Sequence, residues 1–310
     1  MSSVPSTPEW QQRRERGSMF WLRVMSLLSL RLGRRLSRPV VCGIALYFVL
    51  AAPAARQASR QYLARALRRA PSWLDLYRHV LCFASTIHDR VYLLNDRHAL
   101  FDIQVQGQDL LAPEQLKGQG AFLFGAHLGS FEVLRSLARV DPRLKVSIAM
   151  YPDNARQINA TLNAINPNAT QDIIALGQLD AVLAMHQRLK EGALVGILAD
   201  RAVATEQAQD YQRVEFLGAP ARFPLGPFRL AALLRQPVYF MASLYQGGHR
   251  YEVHFERLAD EILLCGKDRD ALAQALLRHY VATLERHCLA SPYNWFNFFD
   301  FWDAPDADSH

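Results

Sequence analysis

The stretch "AFLFGAHLGSFEVLRSLAR", residues 121–139, contains the change of periodicity that decides the fold. Its first six residues, 121–126, form a continuous apolar run that is typical of a strand buried on both faces. The apolar residues then recur at helical spacing, after Ser130 as a favoured N-cap residue and with Glu132 in the first turn, where the helix dipole favours a carboxylate. Gly129 allows a tight turn. The stretch therefore predicts a buried strand followed at once by a helix.

The same alternation extends along the chain in both directions. Further short apolar runs read as strands: "DIQVQG", "KVSIAM", "DIIAL", "ALVGILAD", "RVEFLG", "PVYFMASLY" and "YEVHFE". Between them lie stretches with helical spacing, such as "DAVLAMHQRLKEG" and "PFRLAALLRQ", and a long amphipathic helix at residues 71–95 precedes them all. This order predicts an α/β fold with a mixed, partly parallel central sheet flanked by helices.

Charge is distributed unevenly along the chain. Residues 1–70 carry thirteen arginines, no lysine and only two acids, Glu9 and Glu15, which gives this segment a formal charge of +11. Because the whole chain carries +6, residues 71–310 carry −5. An anionic surface is therefore expected as a partner of the N-terminal segment only. Nucleic acid is not expected, since the arginines alternate with long aliphatic residues and no recognisable nucleic-acid module follows.

The basic segment also contains an uncharged apolar run, "PVVCGIALYFVLAAPAA", residues 39–55. It is somewhat shorter than the roughly 20 apolar residues that a spanning helix needs. It follows an arginine-rich helix, residues 20–38, whose composition is typical of a segment lying on anionic lipid. We expect interfacial or shallow membrane insertion and no cleaved signal peptide. Two packed helices with solvated arginines are the alternative.

Length and cysteine usage bound the organisation of the protein. The 310 residues can bury a sizeable core, and the four scattered cysteines form neither a disulfide framework nor a zinc ribbon, which fits a reducing compartment. We expect membrane-associated helices at residues 1–70, one α/β catalytic domain at residues 71–302 and a polar tail at residues 303–310.

A histidine and a glutamate stand at the predicted strand-to-helix turn. His127 follows the buried strand at its carboxyl end, the edge of an open sheet where ligands usually bind. Glu132 lies five residues later, so its carboxylate could fold back toward one imidazole nitrogen while the other nitrogen faces a cleft. A histidine held in this way can take a proton from a substrate hydroxyl. Backbone N–H groups around Gly129 and Ser130 could stabilise an oxyanion. The bland alternative is that both side chains only cap the strand and the helix.

The H-x4-E element resembles the first signature block of the lysophospholipid acyltransferase superfamily, and its surroundings resemble the bacterial lipid A biosynthesis acyltransferase branch. Supporting segments are "WQQRRERGS", "YPDNARQIN", "LKEGALVGILADR", "VEFLGAPARFPLGPFRLA" and "YNWFNFFDFW". The combination looks closest to the acyltransferases found with aryl polyene and related polyketide-like lipid pathways, and it extends from about residue 10 to 302.

The resemblance implies transfer of an acyl group from an acyl carrier protein or coenzyme A thioester to a hydroxyl of a lipid or glycolipid. It implies no cofactor and no metal, and it implies a location at the cytoplasmic face of a bacterial inner membrane. His127 would be the general base and Glu132 its orienting partner. An acyl thioesterase that uses the same dyad, or a non-catalytic lipid-binding protein on the membrane, are the alternatives.

The resemblance also implies a set of substrate-binding residues. Asp200 and Arg201 would shape the acceptor or thioester site, and Arg156 would contact an anionic acceptor or the carrier's phosphopantetheine. The block "FLGAPARFPLGPF" would border the acyl channel through Gly218, Pro220, Phe223, Pro224 and Gly226. Leu225 stands where members that use glycerol phosphate have a glutamate, so such an acceptor is less expected.

Two further clusters have simpler interpretations than a functional one. The aromatic run "SPYNWFNFFDFW" is interpreted as a core plug, with an acyl-chain lining or an interfacial belt as the alternative. His279, His287 and Cys288 are not expected to bind metal, because eight residues separate the two histidines on a predicted helix.

Overall fold

The central sheet is mixed and carries helices on both faces. In the computed structural model the described residues are 9–111, 120–140, 145–167, 172–176, 179–201, 211–260 and 268–302, with side chains described from residue 24 on except at positions 139, 140, 153, 157, 158 and 179. The predicted polar tail at residues 303–310 lies outside them. The strands of this part of the chain are β1 (Asp102–Gln106), β2 (Ala121–Gly125), β3 (Val146–Met150), β4 (Ile173–Ala175), β5 (Leu194–Leu198), β6 (Tyr211–Phe216), β7 (Ala219–Pro224), β8 (Val238–Tyr245) and β9 (Arg250–Ala259).

Seven of these strands form the central sheet, in the order β1-β9-β8-β2-β5-β3-β4. Every neighbouring pair is parallel except β8 and β9, which are antiparallel. The prediction of a mixed, partly parallel α/β sheet is therefore confirmed.

The run "RVEFLG" joins a separate two-stranded hairpin and not the central sheet. Strands β6 and β7 pair antiparallel, from Tyr211 with Pro224 to Phe216 with Ala219. Leu217 and Gly218 connect the two strands, with φ values of 53° and 74°. A two-residue hairpin turn of type I′ requires positive φ at both of these positions.

The described helices are α1 (Glu9–Ala51), α2 (Pro53–Leu67), α3 (Trp73–Leu93), α4 (Phe131–Val140), α5 (Pro152–Ile165), α6 (Leu179–Lys190), α7 (Gly226–Leu234) and α8 (Arg269–Ala290). Alternate residues of β2 point into two different hydrophobic clusters, as the period of a strand dictates. Phe122 and Phe124 pack with residues of α7 and α8, whereas Leu123 packs with residues of α3. The sheet is thus buried on both faces, which explains the unbroken apolar run at residues 121–126.

The arginines of α1 do not all face outward. The Arg34 guanidinium donates to both carboxylate oxygens of Asp89, at 2.7 and 2.9 Å, and the Tyr251 hydroxyl donates to the same carboxylate at 2.8 Å. Arg34 belongs to the arginine-rich run at residues 20–38, but its guanidinium faces the protein and not an anionic surface. A buried carboxylate on α3 needs charged partners, and Arg34 supplies one of them across the interface between α1 and α3.

Helices α1 and α2 meet at a sharp bend. Their axes differ by 95° across Ala52, and Pro53 begins α2 without a backbone N–H to donate. The Arg56 guanidinium donates to the carbonyls of Val49 and Leu50 at 2.6 and 3.1 Å, which satisfies carbonyl groups at the end of α1. Among the described residues, only this bent pair, and no helix taken singly, has the length and apolar composition that could cross a bilayer.

Candidate active site

His127 lies one residue beyond the end of β2, at the carboxyl edge of the sheet. Its side chain is 35% exposed, and its backbone carbonyl accepts a hydrogen bond from the Phe296 N–H at 2.8 Å. The imidazole Nε2 atom has no hydrogen-bond partner in the part of the chain that the structure describes, so this nitrogen is open to a substrate. The predicted position of His127 at an accessible sheet edge agrees with the structure.

The carboxylate behind His127 belongs to Asp200. Strand β5 pairs with β2 in parallel register, with Gly125 opposite Leu198, so the residues that follow both strands emerge side by side. Asp200 Oδ1 lies 2.9 Å from His127 Nδ1, and Asp200 Oδ2 accepts the His127 backbone N–H at 3.0 Å. The structure therefore brings together two predicted site residues, although Asp200 was expected only to shape a substrate site.

Asp200 is fully buried yet stays ionised. Burial alone would raise the pKa of this carboxyl, but the charge and hydrogen bonds of His127, and the charge of Arg201, outweigh burial and hold its pKa below the ordinary value. An ionised carboxylate accepts a hydrogen bond from Nδ1–H and thereby keeps the Nε2 lone pair available.

Glu132 has a different set of partners from the predicted one. Its Oε2 atom accepts from the Arg135 guanidinium at 2.8 Å, and its Oε1 atom lies 3.8 Å from Arg90 Nε. Glu132 begins the first turn of α4, as expected, but its carboxylate is directed to an arginine one turn later on the same helix face. Among the described residues, the carboxylate that orients His127 is therefore that of Asp200 and not that of Glu132.

The aromatic C-terminal segment, residues 291–302, closes over the back of this site. Trp295 is completely buried, and its indole Nε1–H donates to Asp200 Oδ2 at 3.0 Å. Leu128 and Trp295 form an antiparallel bridge, and the N–H of Gly129 donates to the carbonyl of Asn294 at 2.8 Å. Trp295, Phe296 and Phe301 are buried, as the core interpretation predicts, whereas Phe299 is exposed. The segment also makes hydrogen bonds to the loop that carries His127.

Gly129 and Ser130 do not offer free N–H groups. The Gly129 N–H donates to Asn294, and the Ser130 N–H donates to the carbonyl of Ser243 at 2.8 Å. The prediction that these two groups stabilise an oxyanion is therefore wrong, because both are used to hold the turn against β8 and the C-terminal segment. Gly129 is required for close approach: it has a φ of 74°, and an added Cβ would lie 1.8 Å from the Ser243 carbonyl oxygen.

Arg201 lies immediately after Asp200. Its guanidinium donates to the Phe296 carbonyl at 2.6 Å and lies over the Phe299 ring, 5.0 Å from the centroid. Burial lowers the pKa of this guanidinium, although the Asp200 charge opposes that effect. Its Nε–H is buried, and no other described residue accepts a hydrogen bond from it. A buried guanidinium with an unused donor is suited to an anionic group, which keeps Arg201 a predicted substrate-binding residue.

The glycine-rich block forms the β6–β7 hairpin and the start of α7. Phe223 is completely buried, with its ring 5.5 Å from that of Phe216, and Phe216 in turn lies 5.3 Å from Trp295. Gly218 is in the hairpin turn, Pro220 and Pro224 are in β7, and Gly226 begins α7. Phe223 thus packs on Phe216, which packs on Trp295, and the role of the block as a border of an acyl channel stays a prediction.

Arg156 lies on the exposed surface of α5. This helix follows β3, and β3 runs parallel to β5, so α5 begins at the same edge of the sheet as His127 and Asp200. The location is compatible with contact to an anionic substrate, which stays a prediction.

The histidines of α8 have protein partners. His279 Nδ1 lies 3.0 Å from the Leu258 carbonyl, and His287 Nε2 lies 2.6 Å from Glu256 Oε1. Cys288 is buried, and burial raises its pKa. Among the described residues no group of three potential ligands is arranged to hold a metal ion.

The sequence contained a signal for the role of Asp200 but none for that of Trp295. Asp200 directly follows one apolar run and His127 directly follows another. If the two runs form adjacent parallel strands, the two side chains meet at the same edge of the sheet. Recognising the pair required the order of the strands. The Trp295 contact depends on how the end of the chain packs, which no local pattern records.

A search of curated proteins gives no match for this chain. The sequence profile of the family described as bacterial lipid A biosynthesis acyltransferase matches residues 9–302, nearly the whole length. This family supports acyltransferase activity on lipid-like substrates. The histidine and the carboxylate at the sheet edge are compatible with that activity. The chain therefore belongs to the bacterial lipid A biosynthesis acyltransferase family.

Proposed function

We propose that this protein is a membrane-associated O-acyltransferase that moves an acyl group from an acyl carrier protein or coenzyme A thioester to a hydroxyl of a lipid or glycolipid. The observation that carries the proposal is the contact between His127 and Asp200, which leaves Nε2 of an accessible imidazole facing outward. The acceptor belongs to a lipid pathway such as the aryl polyene pathways that the sequence resembles.

The proposed reaction begins with the acceptor hydroxyl. His127 Nε2 takes its proton as the oxygen attacks the thioester carbonyl carbon, and a new C–O bond forms. The tetrahedral intermediate then loses its C–S bond, and the imidazolium returns the proton to the departing sulfur. The products are the ester and the free thiol. No serine or cysteine of the protein is acylated, because the acceptor itself is the nucleophile.

Asp200 supports this cycle by remaining charged. The buried carboxylate holds the Nδ1–H in place and stabilises the imidazolium while it exists. Arg201 is proposed to contact an anionic part of either substrate, and Arg156 is proposed to do the same further along the sheet edge. A catalytic role for Glu132 remains a separate hypothesis, which is tested below.

The proposed membrane contact is made by an apolar surface on α1, called here the α1 stripe and defined as Leu36, Val40, Ile44, Tyr47 and Leu50. These side chains are between 37% and 68% exposed and recur every three or four residues on the part of α1 that follows the kink at Gly33. Arg31 and Arg35 lie exposed beside the start of the stripe. Large apolar side chains left in water next to arginines are typical of a helix that lies in an anionic interface. We propose that this interface is the cytoplasmic face of a bacterial inner membrane.

Replacement of His127 tests the proposed chemistry. The full-length protein is incubated with radiolabelled lauroyl-CoA or lauroyl acyl carrier protein and a bacterial total lipid extract, and labelled lipid is measured. We expect His127→Ala to reduce transfer at least about a hundredfold, the usual contribution of a general base. His98→Ala, which alters an exposed histidine outside the site, is the matched control.

The two alternatives have their own signatures in the same assay. Labelled fatty acid released without an acceptor, and lost in His127→Ala, indicates a thioesterase. Transfer that is unchanged in a folded His127→Ala protein contradicts the proposal and favours a lipid-binding role.

A further inference from the structure

The indole of Trp295 lies behind the active site, against the carboxylate of Asp200. Its Nε1–H donates to Asp200 Oδ2 at 3.0 Å, and the other oxygen of the same carboxylate faces His127. Both groups are completely buried, so water does not compete for the contact. Three N–H donors, two from His127 and one from Trp295, thus converge on one carboxylate and fix its rotation.

The backbone of Trp295 is itself held from behind. His79 Nε2 lies 2.8 Å from the Trp295 carbonyl oxygen, and the Ser59 hydroxyl lies 2.7 Å from His79 Nδ1. His79 is completely buried, and burial lowers its pKa to about 4, although the bond to the Trp295 carbonyl opposes that effect. A neutral imidazole here donates from Nε2 and accepts the Ser59 hydroxyl at Nδ1. Helices α2 and α3 therefore connect to the site through Trp295.

The ring of Trp295 is also clamped by its aromatic neighbours. Its centroid lies 4.9 Å from that of Tyr62, 5.3 Å from that of Phe216 and 4.9 Å from that of Phe301, all in edge-on arrangements. Such packing leaves the indole one orientation, with its N–H directed at Asp200.

We infer that Trp295 is a positioning residue of the acyl-transfer site, whose indole N–H sets the orientation of Asp200 and through it the reactive orientation of His127. The inference rests on the proposed function. Trp295 is completely buried behind Asp200 and does not touch the substrate. Because Trp295 acts on the efficiency of His127 as a base, its replacement is expected to change kcat and not substrate affinity.

Trp295→Phe tests the inference, with Trp302→Phe as the matched control. Trp302 lies in the same aromatic cluster, and its indole N–H donates to the Phe216 carbonyl at 3.2 Å. The control therefore also replaces an indole by a phenyl ring and removes one indole hydrogen bond. We expect Trp295→Phe to lower kcat by about tenfold to a hundredfold, a part of what a general base contributes, with little change in KM. Trp302→Phe is expected to keep kcat near that of the parent.

The pH profile separates positioning from mere packing. A carboxylate that has lost one donor attracts the imidazolium more strongly, so the acidic limb of kcat/KM in Trp295→Phe is expected to move to higher pH. A parental kcat and an unmoved acidic limb overturn the inference. Equal losses of kcat in both tryptophan variants, with an unmoved limb, overturn it as well.

Two further measurements keep the test decisive. If Trp295→Phe does not fold, β-(3-benzothienyl)alanine at position 295 keeps the shape of the ring and removes only the N–H, and the same kcat and pH outcomes apply. His127→Ala is measured beside it. Activity that persists in His127→Ala refutes the proposed function itself, whereas an inactive His127→Ala with a fully active position-295 variant refutes only the role of Trp295.

Discussion

At the residue scale, the site depends on which carboxylate faces which base. His127 has one nitrogen against a buried charge and the other toward solvent, an arrangement that favours proton abstraction from an alcohol. Glu132, five residues after His127 in the same signature block, is instead neutralised by arginines. The two carboxylates therefore have separable effects when each is replaced by its amide.

Asp200→Asn and Glu132→Gln form a matched pair. We expect Asp200→Asn to lower kcat by about 10²–10⁴-fold, because the amide cannot stabilise an imidazolium or keep the same proton arrangement. Glu132→Gln is expected to lower the free energy of unfolding by about 3 kcal/mol, because Arg135 loses a buried counter-charge, with a much smaller effect on kcat. Steady-state transfer and urea unfolding measure the two quantities. The opposite ranking of kcat would support Glu132 as the partner of His127.

Two buried histidines on α3 predict how stability depends on pH. Burial lowers the pKa of His79 and of His88 to about 4, from an ordinary value of 6.5. The unfolded chain therefore takes up protons first as the pH falls, so stability present above pH 6.5 is lost between pH 6.5 and about 4. Each histidine accounts for about 3 kcal/mol of that loss.

His88→Phe checks this dependence, since both ring nitrogens of His88 are buried and neither forms a hydrogen bond within the described part of the chain. We expect the variant to be as stable as the parent at neutral pH and to lose about 3 kcal/mol less on acidification. Urea unfolding across this pH range measures the difference. The same loss as in the parent contradicts the prediction, and His98→Phe, an exposed site, controls for added apolar surface.

At the scale of elements, the turn between β2 and α4 is the most constrained joint of the site. Gly129 and Gly218 share a φ of 74°, but an added Cβ would meet the Ser243 carbonyl oxygen at 1.8 Å in one case and nothing within 4 Å in the other. We expect Gly218→Ala to cost about 1–2 kcal/mol of unfolding free energy, the cost of a left-handed residue. Gly129→Ala is expected to cost more than about 4 kcal/mol. Chemical denaturation that gives equal costs contradicts this account of the turn.

The elements themselves could largely be predicted from the sequence, with one instructive exception. The run at residues 121–126 and the helix after Ser130 follow from periodicity alone. Strand β7 could not be predicted in this way, because it contains Pro220 and Pro224 and proline is rare inside sheets. They are accommodated because, among the described strands, β7 pairs with β6 alone, so its other edge forms no ladder with any of them.

At the scale of the whole molecule, the site is an assembly of distant segments. His127 was predictable because its environment is local, whereas its pairing with Asp200 depends on the order of strands in the sheet. The inward orientation of Arg34 was likewise hidden, since composition does not tell which arginine meets a buried aspartate. Long-range packing decides both, and a single sequence does not record it.

The α1 stripe leads to a prediction about lipid binding. We expect Leu36→Glu to weaken binding of the full-length protein to vesicles containing phosphatidylglycerol by about tenfold or more, since burial of one leucine side chain contributes about 1.5–3 kcal/mol. Leu183→Glu alters an equally exposed leucine on α6 and is the control. Vesicle sedimentation measures the difference. Equal binding of parent and both variants contradicts the proposed orientation on the membrane.

The hydrogen bonds that residues 291–302 make to the His127 loop have a consequence for biosynthesis. Chains emerge from the ribosome with their N-terminal parts first, and early parts can fold before later ones exist. The basic helices and most of the sheet are therefore made while the residues that brace Asp200 are still untranslated. The proposed base is therefore organised only after residues 291–302 have been made, and a nascent chain that stops before them is expected to be inactive.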